Sequence, residues 1–339
     1  MAWFRSAEGS AGAPLDAGVL LVNLGTPLAP TYGAIRRFLG EFLSDRRVIE
    51  ACPAYWYPLL HGVVLTLRPF KVRHAYASIW TSDGSPLLVH SMRLAAKLQA
   101  ALGDPARVRV ELAMTYGEPS IAAAIERLQQ AHVRRLIVLP LYPQYSATTT
   151  GAIFDRVARE LSRWRRVPAV QLIPDYHAEP EYVEALAAGV RASWAEHGRS
   201  HLVVSNHGIP VKYAEAGDPY PRQVAATVAA LAKSLGLADD EYSATFQSRF
   251  GPTAWLTPYT DERLLELARS GVAAVTVVTP SFATDCLETI DEIGVGSRTA
   301  FLGAGGREFH RVPALNDSPA QVAALAALLA RTGLQPAGA

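Results

Sequence analysis

Along this chain, short runs of Val, Ile and Leu alternate with longer stretches in which apolar residues recur every three or four positions. The first pattern reads as strands buried on both faces, and the second as helices laid over them. Eight runs fit strands: GVLLVNLG, VRVELAMTYG, RLIVLPLYP and AVQLIPDY, then HLVVSNHGIP, YSATFQSRF, AAVTVVTPSF and FHRVPAL. Helical stretches separate them, among them residues 91–102, 120–132, 151–164, 180–197, 222–235, 261–270 and 318–332. The last opens with Ser318 as N-cap and Pro319 as its first helical residue.

The expected fold class is therefore α/β, in two halves that each hold a four-stranded parallel sheet flanked by helices. The halves are expected at 17–176 and 177–317, with helix 318–332 packing back on the first. Ligands of open parallel sheets bind beyond the carboxyl ends of the strands, and two such halves would enclose a cleft. The chemistry should therefore sit where the strands end.

Composition narrows the partners. The 339 residues are 50% hydrophobic and 19% charged, enough to bury a substantial core. A formal net charge of +1 gives no general attraction for nucleic acid, and none is expected as a partner. Cys52 and Cys286 form no CxxC pair and no disulfide framework, which fits a reducing, cytoplasmic setting. The opening MAWFRSAEGSAGAPLDAG has no continuous apolar core and reads as a loose arm, so export is not expected. Residues 51–70, ACPAYWYPLLHGVVLTLRPF, are apolar, but Pro53, Pro58, His61 and Arg68 interrupt them. A spanning helix needs about 20 cleaner residues. Two readings stay open, a helix packed on the core and an interfacial helix that shows aromatics to lipid or ligand. Arg68, Lys71, Arg73 and His74 follow as a basic cluster suited either to anionic groups or to a solvated turn.

At the strand ends, His207 in SNHGIP closes an apolar run and is followed by Gly208 and Pro210. A sharp turn there would hold the imidazole with little freedom. Both a general base and a histidine satisfied by a backbone carbonyl fit that position. In TPSFATDCLETIDEI, Asp285, Glu288 and Glu292 share one face at α-helical spacing. A wet acidic face explains them, and so does a face turned inward, with Glu288 holding a divalent cation or accepting protons and Glu292 behind it. One imidazole with one carboxylate makes a thin site beside the four ligands of structural zinc, and suits an ion that is delivered rather than kept. The loops NLGTP, TYGEPS, LYPQYSATTTG and FQSRFGPTAWLTPYTDE carry flat apolar side chains and hydroxyls, as a large planar ligand with carboxylates would need. No GxGxxG or GxxxxGK[ST] follows the first strand, so a nucleotide is a weak alternative.

Together HGIP, FQSRFG with WLTPYTDE, DCLETIDEI and GVLLVNLGTP resemble the ferrochelatase family from Gly18 to about Leu329. That resemblance implies the chelatase fold, two Rossmann-like halves with a porphyrin cleft, and the substrates protoporphyrin IX and ferrous iron, with no organic cofactor. It implies His207 and Glu288 as metal-binding and catalytic residues, with Glu292 and Asp285 on the proton or metal path. Leu24, Trp255 and Tyr116 become candidate walls for the ring, and Tyr76, Ser85 and Tyr116 candidate donors to the propionates. Thr115 stands where some relatives carry arginine, and Asn206 where an aromatic or small residue is common. Four cysteines usually ligate a [2Fe-2S] cluster and this chain has two, so none is expected. Expected contacts are the inner membrane, peripherally through 51–70, and the preceding enzyme of haem synthesis. The rivals are a coproporphyrin III ferrochelatase, a non-catalytic haem or tetrapyrrole carrier, and an α/β protein binding a sugar or nucleotide.

Overall fold

The structure, a computed structural model, describes residues 3–6 and 14–334. Most of the expected opening arm lies outside these residues. The chain forms two compact units. One comprises the described residues up to Tyr142, Ser146–Asp175 and the chain from Leu325, and the other comprises Pro143–Tyr145 with Tyr176–Ala324.

In the first unit the order is β1 (Ala17–Asn23), α1 (Tyr32–Leu43), α2 (Pro53–Leu59), α3 (Leu65–Ile79), α4 (Pro86–Leu102), β2 (Val108–Met114), α5 (Ile121–Gln130), β3 (Arg135–Pro140), α6 (Ala152–Leu161) and β4 (Ala169–Leu172). The four strands pair in parallel in the order β2-β1-β3-β4. Every residue of β1 is buried, as an unbroken apolar run at the centre of a covered sheet requires. Leu20, Val22, Leu136 and Val138 pack against Ile125, Leu128, Ile153 and Val157 of α5 and α6. AVQLIPDY departs from its reading as a buried strand: only Ala169–Leu172 pair, at the sheet edge, with Val170 and Leu172 exposed.

The second unit continues with α7 (Pro180–His197), β5 (His201–His207), α8 (Val211–Glu215), α9 (Tyr220–Leu235), β6 (Tyr242–Gln247), α10 (Thr260–Arg269), β7 (Ala274–Val278), α11 (Arg298–Gly303), β8 (Glu308–Arg311) and α12 (Pro319–Arg331). Its parallel order is β6-β5-β7-β8. From Leu325, α12 belongs to the first unit. Pro143–Tyr145 joins the second because Gln144 Nε2 donates to Thr227 Oγ1 at 2.9 Å and the Tyr145 N–H donates to Gln223 Oε1 at 2.6 Å. Nothing in the apolar pattern marks that crossing.

The segment 51–70 is α2, a π-helical turn over Leu60–Val64 and the start of α3. Among the described residues no helix is long and apolar enough to cross a membrane. Leu60, Leu65 and Pro69 are buried, whereas Tyr55, Tyr57, Val63, Leu67 and Phe70 are exposed. The core-helix reading therefore accounts for only a thin stripe of this segment.

Gly25, which ends NLG, has φ +106°, and a Cβ there would lie 1.8 Å from the Tyr116 carbonyl oxygen. Both the left-handed backbone and the contact demand glycine. Gly25→Ala is expected to lower stability by about 2–4 kcal/mol in urea unfolding. Gly33→Ala, in the first turn of α1 with open space around it, is expected to be neutral or stabilising by up to about 1 kcal/mol. Equal effects at the two positions would refute the steric account.

Candidate active site

In the second unit the chain leaves β5 toward β6 on one side and reaches β8 from β7 on the other. The carboxyl ends of β5 and β7 therefore flank a switch point, where no connection of the sheet covers the edge. His207 is the last residue of β5, and Glu288 opens the segment that follows β7.

His207 is held on several sides. Its Nδ1 lies 2.6 Å from the Gly208 carbonyl, and donation to that oxygen leaves Nε2 with the free lone pair of a neutral ring. The Gly208 N–H donates to the Gln247 carbonyl at 2.9 Å. A Cβ on Gly208 would meet that same oxygen at 3.1 Å and the Trp255 ring at 3.3 Å, so the turn needs its glycine. The next residues pair with the chain around Trp255: the Val211 N–H donates to the Ala254 carbonyl and the Leu256 N–H to the Ile209 carbonyl. Phe282, after β7, lies with its ring centroid 6.0 Å from that of the imidazole. Both readings of the histidine are thus met by one ring, with one nitrogen satisfied by backbone and the other available.

The acidic residues differ from the expected helical face. Glu288–Ser297 is π-helical over ten residues, and Asp285 lies before it. Asp285 is buried, and its carboxylate accepts from Arg311 Nη1 at 2.6 Å, Thr289 Oγ1 at 2.8 Å and Asn316 Nδ2 at 2.8 Å. A carboxylate ringed by donors and paired to arginine anchors the loop, with Oδ1 shared by Arg311 and Thr289 and Oδ2 taken by Asn316. Glu292, in contrast, is held mainly by Ser248, with Gln247 Nε2 at 3.5 Å from its Oε2. The Ser248 N–H donates to its Oε1 at 2.7 Å and the Ser248 hydroxyl to its Oε2 at 2.6 Å. Gln247 Nε2 donates to the Glu288 carbonyl at 3.0 Å.

Burial pushes the Glu292 carboxyl above its ordinary range, the Glu288 charge pushes it the same way, and Ser248 and His207 oppose them. Glu292 thus lies within electrostatic reach of both Glu288 and His207. Burial and the nearby Glu288 also push the Cys286 thiol up, so it stays protonated and is no thiolate ligand. Among the described residues no group of three or more His, Cys, Asp or Glu is arranged to hold a metal ion. A loosely held ion shared by an imidazole and a carboxylate is the most this donor set supports.

The other expected contacts divide between the two units. Trp255 is buried, its Nε1–H donating to the Phe250 carbonyl at 3.0 Å. In the first unit, Leu24 is half-buried after β1 and its carbonyl accepts from the Tyr116 N–H at 2.9 Å. Tyr116 has no exposed surface; its hydroxyl donates to Asp45 Oδ2 at 3.1 Å and the Arg156 guanidinium covers its ring at 4.5 Å. The Ser85 hydroxyl is buried 2.9 Å from Thr26 Oγ1. The Tyr116 and Ser85 hydroxyls, expected as donors to the propionates, each face a partner within the unit. Tyr76 is buried on α3. Sequence reasoning missed Ser248 and Gln247 as holders of the acidic segment, although they stand in the quoted FQSRF; their positions next to a strand end were the available signal.

A family model described as ferrochelatase matches residues 16–332. The ferrochelatase of Thioalkalivibrio sulfidiphilus is 50% identical over 323 residues, 94% of this chain and 88% of its own. That of Bordetella pertussis is 51% identical over 320 residues, with the same two coverages of 94% and 88%. That of Cronobacter sakazakii is 48% identical over 318 residues, 94% of this chain and 98% of its own. Among solved structures, SirB from Bacillus subtilis with Fe3+ superposes with a TM-score of 0.55 at 16% identity, covering 94% of this chain and 96% of that one. CbiX, described as the terminal enzyme of sirohaem biosynthesis in denitrifying bacteria, gives a TM-score of 0.50 at 16% identity, covering 93% and 98%. At that identity the structural likeness speaks for the fold alone: two parallel sheets flanked by helices, as the apolar pattern indicates.

The raised Glu292 carboxyl has a signed consequence. The folded state binds this proton more tightly than the unfolded chain, so the contribution to stability is fully present below the ordinary value of 4.5 and is lost as pH rises through the higher folded value. Glu292→Gln removes that loss. Its stability relative to the parent is expected to improve as pH rises from about 4 to about 8, read as urea midpoints. A gap that does not vary with pH would overturn the assignment.

Proposed function

Because the chain belongs to the ferrochelatase family, we propose that it inserts Fe(II) into protoporphyrin IX to give protohaem and two protons, the last step of haem synthesis. The observation that carries this reading is the meeting of His207 with Glu288 and Glu292 at the carboxyl ends of β5 and β7. A free-base porphyrin loses two N–H protons as it gains the cation. His207 Nε2 is placed to take one and become imidazolium. Glu288 would approach the incoming cation, and Glu292 would receive protons behind it; its raised affinity for a proton suits such a station. Leu24, Tyr76 and Trp255 remain the proposed porphyrin contacts, on the family resemblance.

Iron enters here as substrate. A donor pair of one imidazole and one carboxylate discriminates weakly among borderline divalent ions, so Zn(II) or Co(II) should also be inserted in vitro.

The exposed side of α2 and α3 supports a peripheral membrane contact. Leu67 and Phe70 are 54% and 63% exposed, and Lys71 and Arg73 stand beside them. Apolar side chains beside cations suit the interface of an anionic bilayer, to which each Lys or Arg adds about 1 kcal/mol.

Two experiments follow. Anaerobic incubation with protoporphyrin IX and Fe(II), read as loss of porphyrin fluorescence, should show insertion by the parent protein. His207→Ala and Glu288→Ala should each be slower by about 10²–10⁴-fold while still binding porphyrin. A parent protein that binds porphyrin and never metallates it would leave the carrier reading in its place. In flotation with phosphatidylglycerol vesicles, Leu67→Asp/Phe70→Asp should lose binding, and salt should weaken the parent. Flotation equal to the parent, or none by the parent, would remove the membrane contact.

A further inference from the structure

Asn206, the residue before the proposed base, is fully buried at the end of β5. Successive strand residues face opposite sides of the sheet, so Asn206 points away from the imidazole. Two other elements meet it there. Ser281, just after β7, places its Oγ 2.9 Å from Asn206 Oδ1. Tyr220, the first residue of α9, places its hydroxyl 2.9 Å from Ser281 Oγ and 2.8 Å from the His207 carbonyl oxygen. All three side chains are buried.

That carbonyl needs a partner. The ladder between β5 and β7 ends at Val204↔Val278, three residues short of His207. Beyond it the sheet supplies no donor on that side, and Tyr220 takes the place of a strand. Burial pushes the Tyr220 phenol up, so it remains an O–H donor throughout the working pH range.

The donors in this chain can be placed. Asn206 Nδ2 donates to the Val204 carbonyl at 3.4 Å, which turns Oδ1 toward Ser281, and the Ser281 hydroxyl donates to it at 2.9 Å. The Tyr220 hydroxyl then lies between two acceptors, the His207 carbonyl and Ser281 Oγ. An aliphatic residue at 206 would leave the Ser281 proton without its acceptor.

We propose that Asn206, Ser281 and Tyr220 form a hydrogen-bonded chain that positions His207 from behind, with the Asn206 side-chain oxygen as the acceptor that orients Ser281. The inference rests on the reading of His207 as the base. The three act through His207, and none touches substrate. With the carbonyl fixed by Tyr220, the following N–H fixed by Gln247 and Nδ1 fixed by the Gly208 carbonyl, the imidazole has little freedom left.

The test is steady-state insertion by the full chain, with Zn(II) and protoporphyrin IX, beside porphyrin binding by fluorescence quenching and thermal melting. Tyr220→Phe and Asn206→Leu are expected to lower kcat by about tenfold to a hundredfold, the range for a slightly misplaced catalytic group, with KM for porphyrin within about twofold. Ser281→Ala should fall likewise, and Ser281→Thr, which keeps the hydroxyl, should recover most of that loss. His207→Ala, inactive while still binding porphyrin, secures the premise; an active His207→Ala overturns the base reading and this inference with it. With His207→Ala inactive, unchanged kcat in Tyr220→Phe and Ser281→Ala overturns the positioning role alone. A fall in kcat that tracks melting temperature equally across the variants, with no recovery in Ser281→Thr, reduces the chain to a structural element and also overturns it.

Discussion

The parallel pairing of β5 between β6 and β7 is the constraint on which the rest of the second unit depends. Parallel strands end at one edge, and because the chain departs from β5 and β7 toward opposite sides, that edge is left uncovered between them. His207, the Ser248 turn and the acidic π-helix all arrive there from residues as far apart as 207 and 292. A slip of one residue in the β5 register would turn His207 to the other face and bring Asn206 into its place. Seven residues of β5, five of them buried, hold that register against a slip.

At this edge the protein tolerates two locally unfavourable features. Ser248 has φ +67°, a conformation that costs a non-glycine residue about 1–2 kcal/mol. The Glu292 carboxyl is buried beside another carboxylate. The first offsets the second: the turned backbone aims both the N–H and the hydroxyl of Ser248 at Glu292, and hydrogen bonds to a charged group contribute about 1.5–3 kcal/mol each. Asp285, three residues before Glu288, meets burial in another way. Arg311 pairs with it and Thr289 and Asn316 donate to it, so it holds the loop. Neighbouring carboxylates in one motif thereby meet burial by different means.

Much of this was legible beforehand, and the failures have identifiable causes. The eight apolar runs lie on the eight strands, and His207 stands at the strand end where the HGIP turn put it. The common face drawn for Asp285, Glu288 and Glu292 assumed α-helical spacing, whereas the segment is π-helical and starts only at Glu288. Tyr116 and Ser85, expected as propionate donors from their place in family motifs, each turn a hydroxyl to a partner within the unit that no local pattern marks. For Tyr116 that partner is Asp45, 71 positions away. AVQL in β4 has the composition of an interior strand, and its place at the edge follows from the order of strands, which composition does not encode.

The sequence by itself determined the alternation of strands and helices, the parallel α/β class and the chemistry-bearing motifs at strand ends. These are local properties: a hydrophobic period needs only its own segment to be read, and a turn only its glycine or proline. Tertiary structure alone decided which polar atom meets which. The Ser248 clamp on Glu292, the Arg311 pairing of Asp285 and the chain from Asn206 through Ser281 and Tyr220 each join residues separated by 26 to 75 positions. Hydrogen bonds act over about 3 Å and depend on direction, so no spacing along the chain encodes them until the sheet has brought its strand ends together.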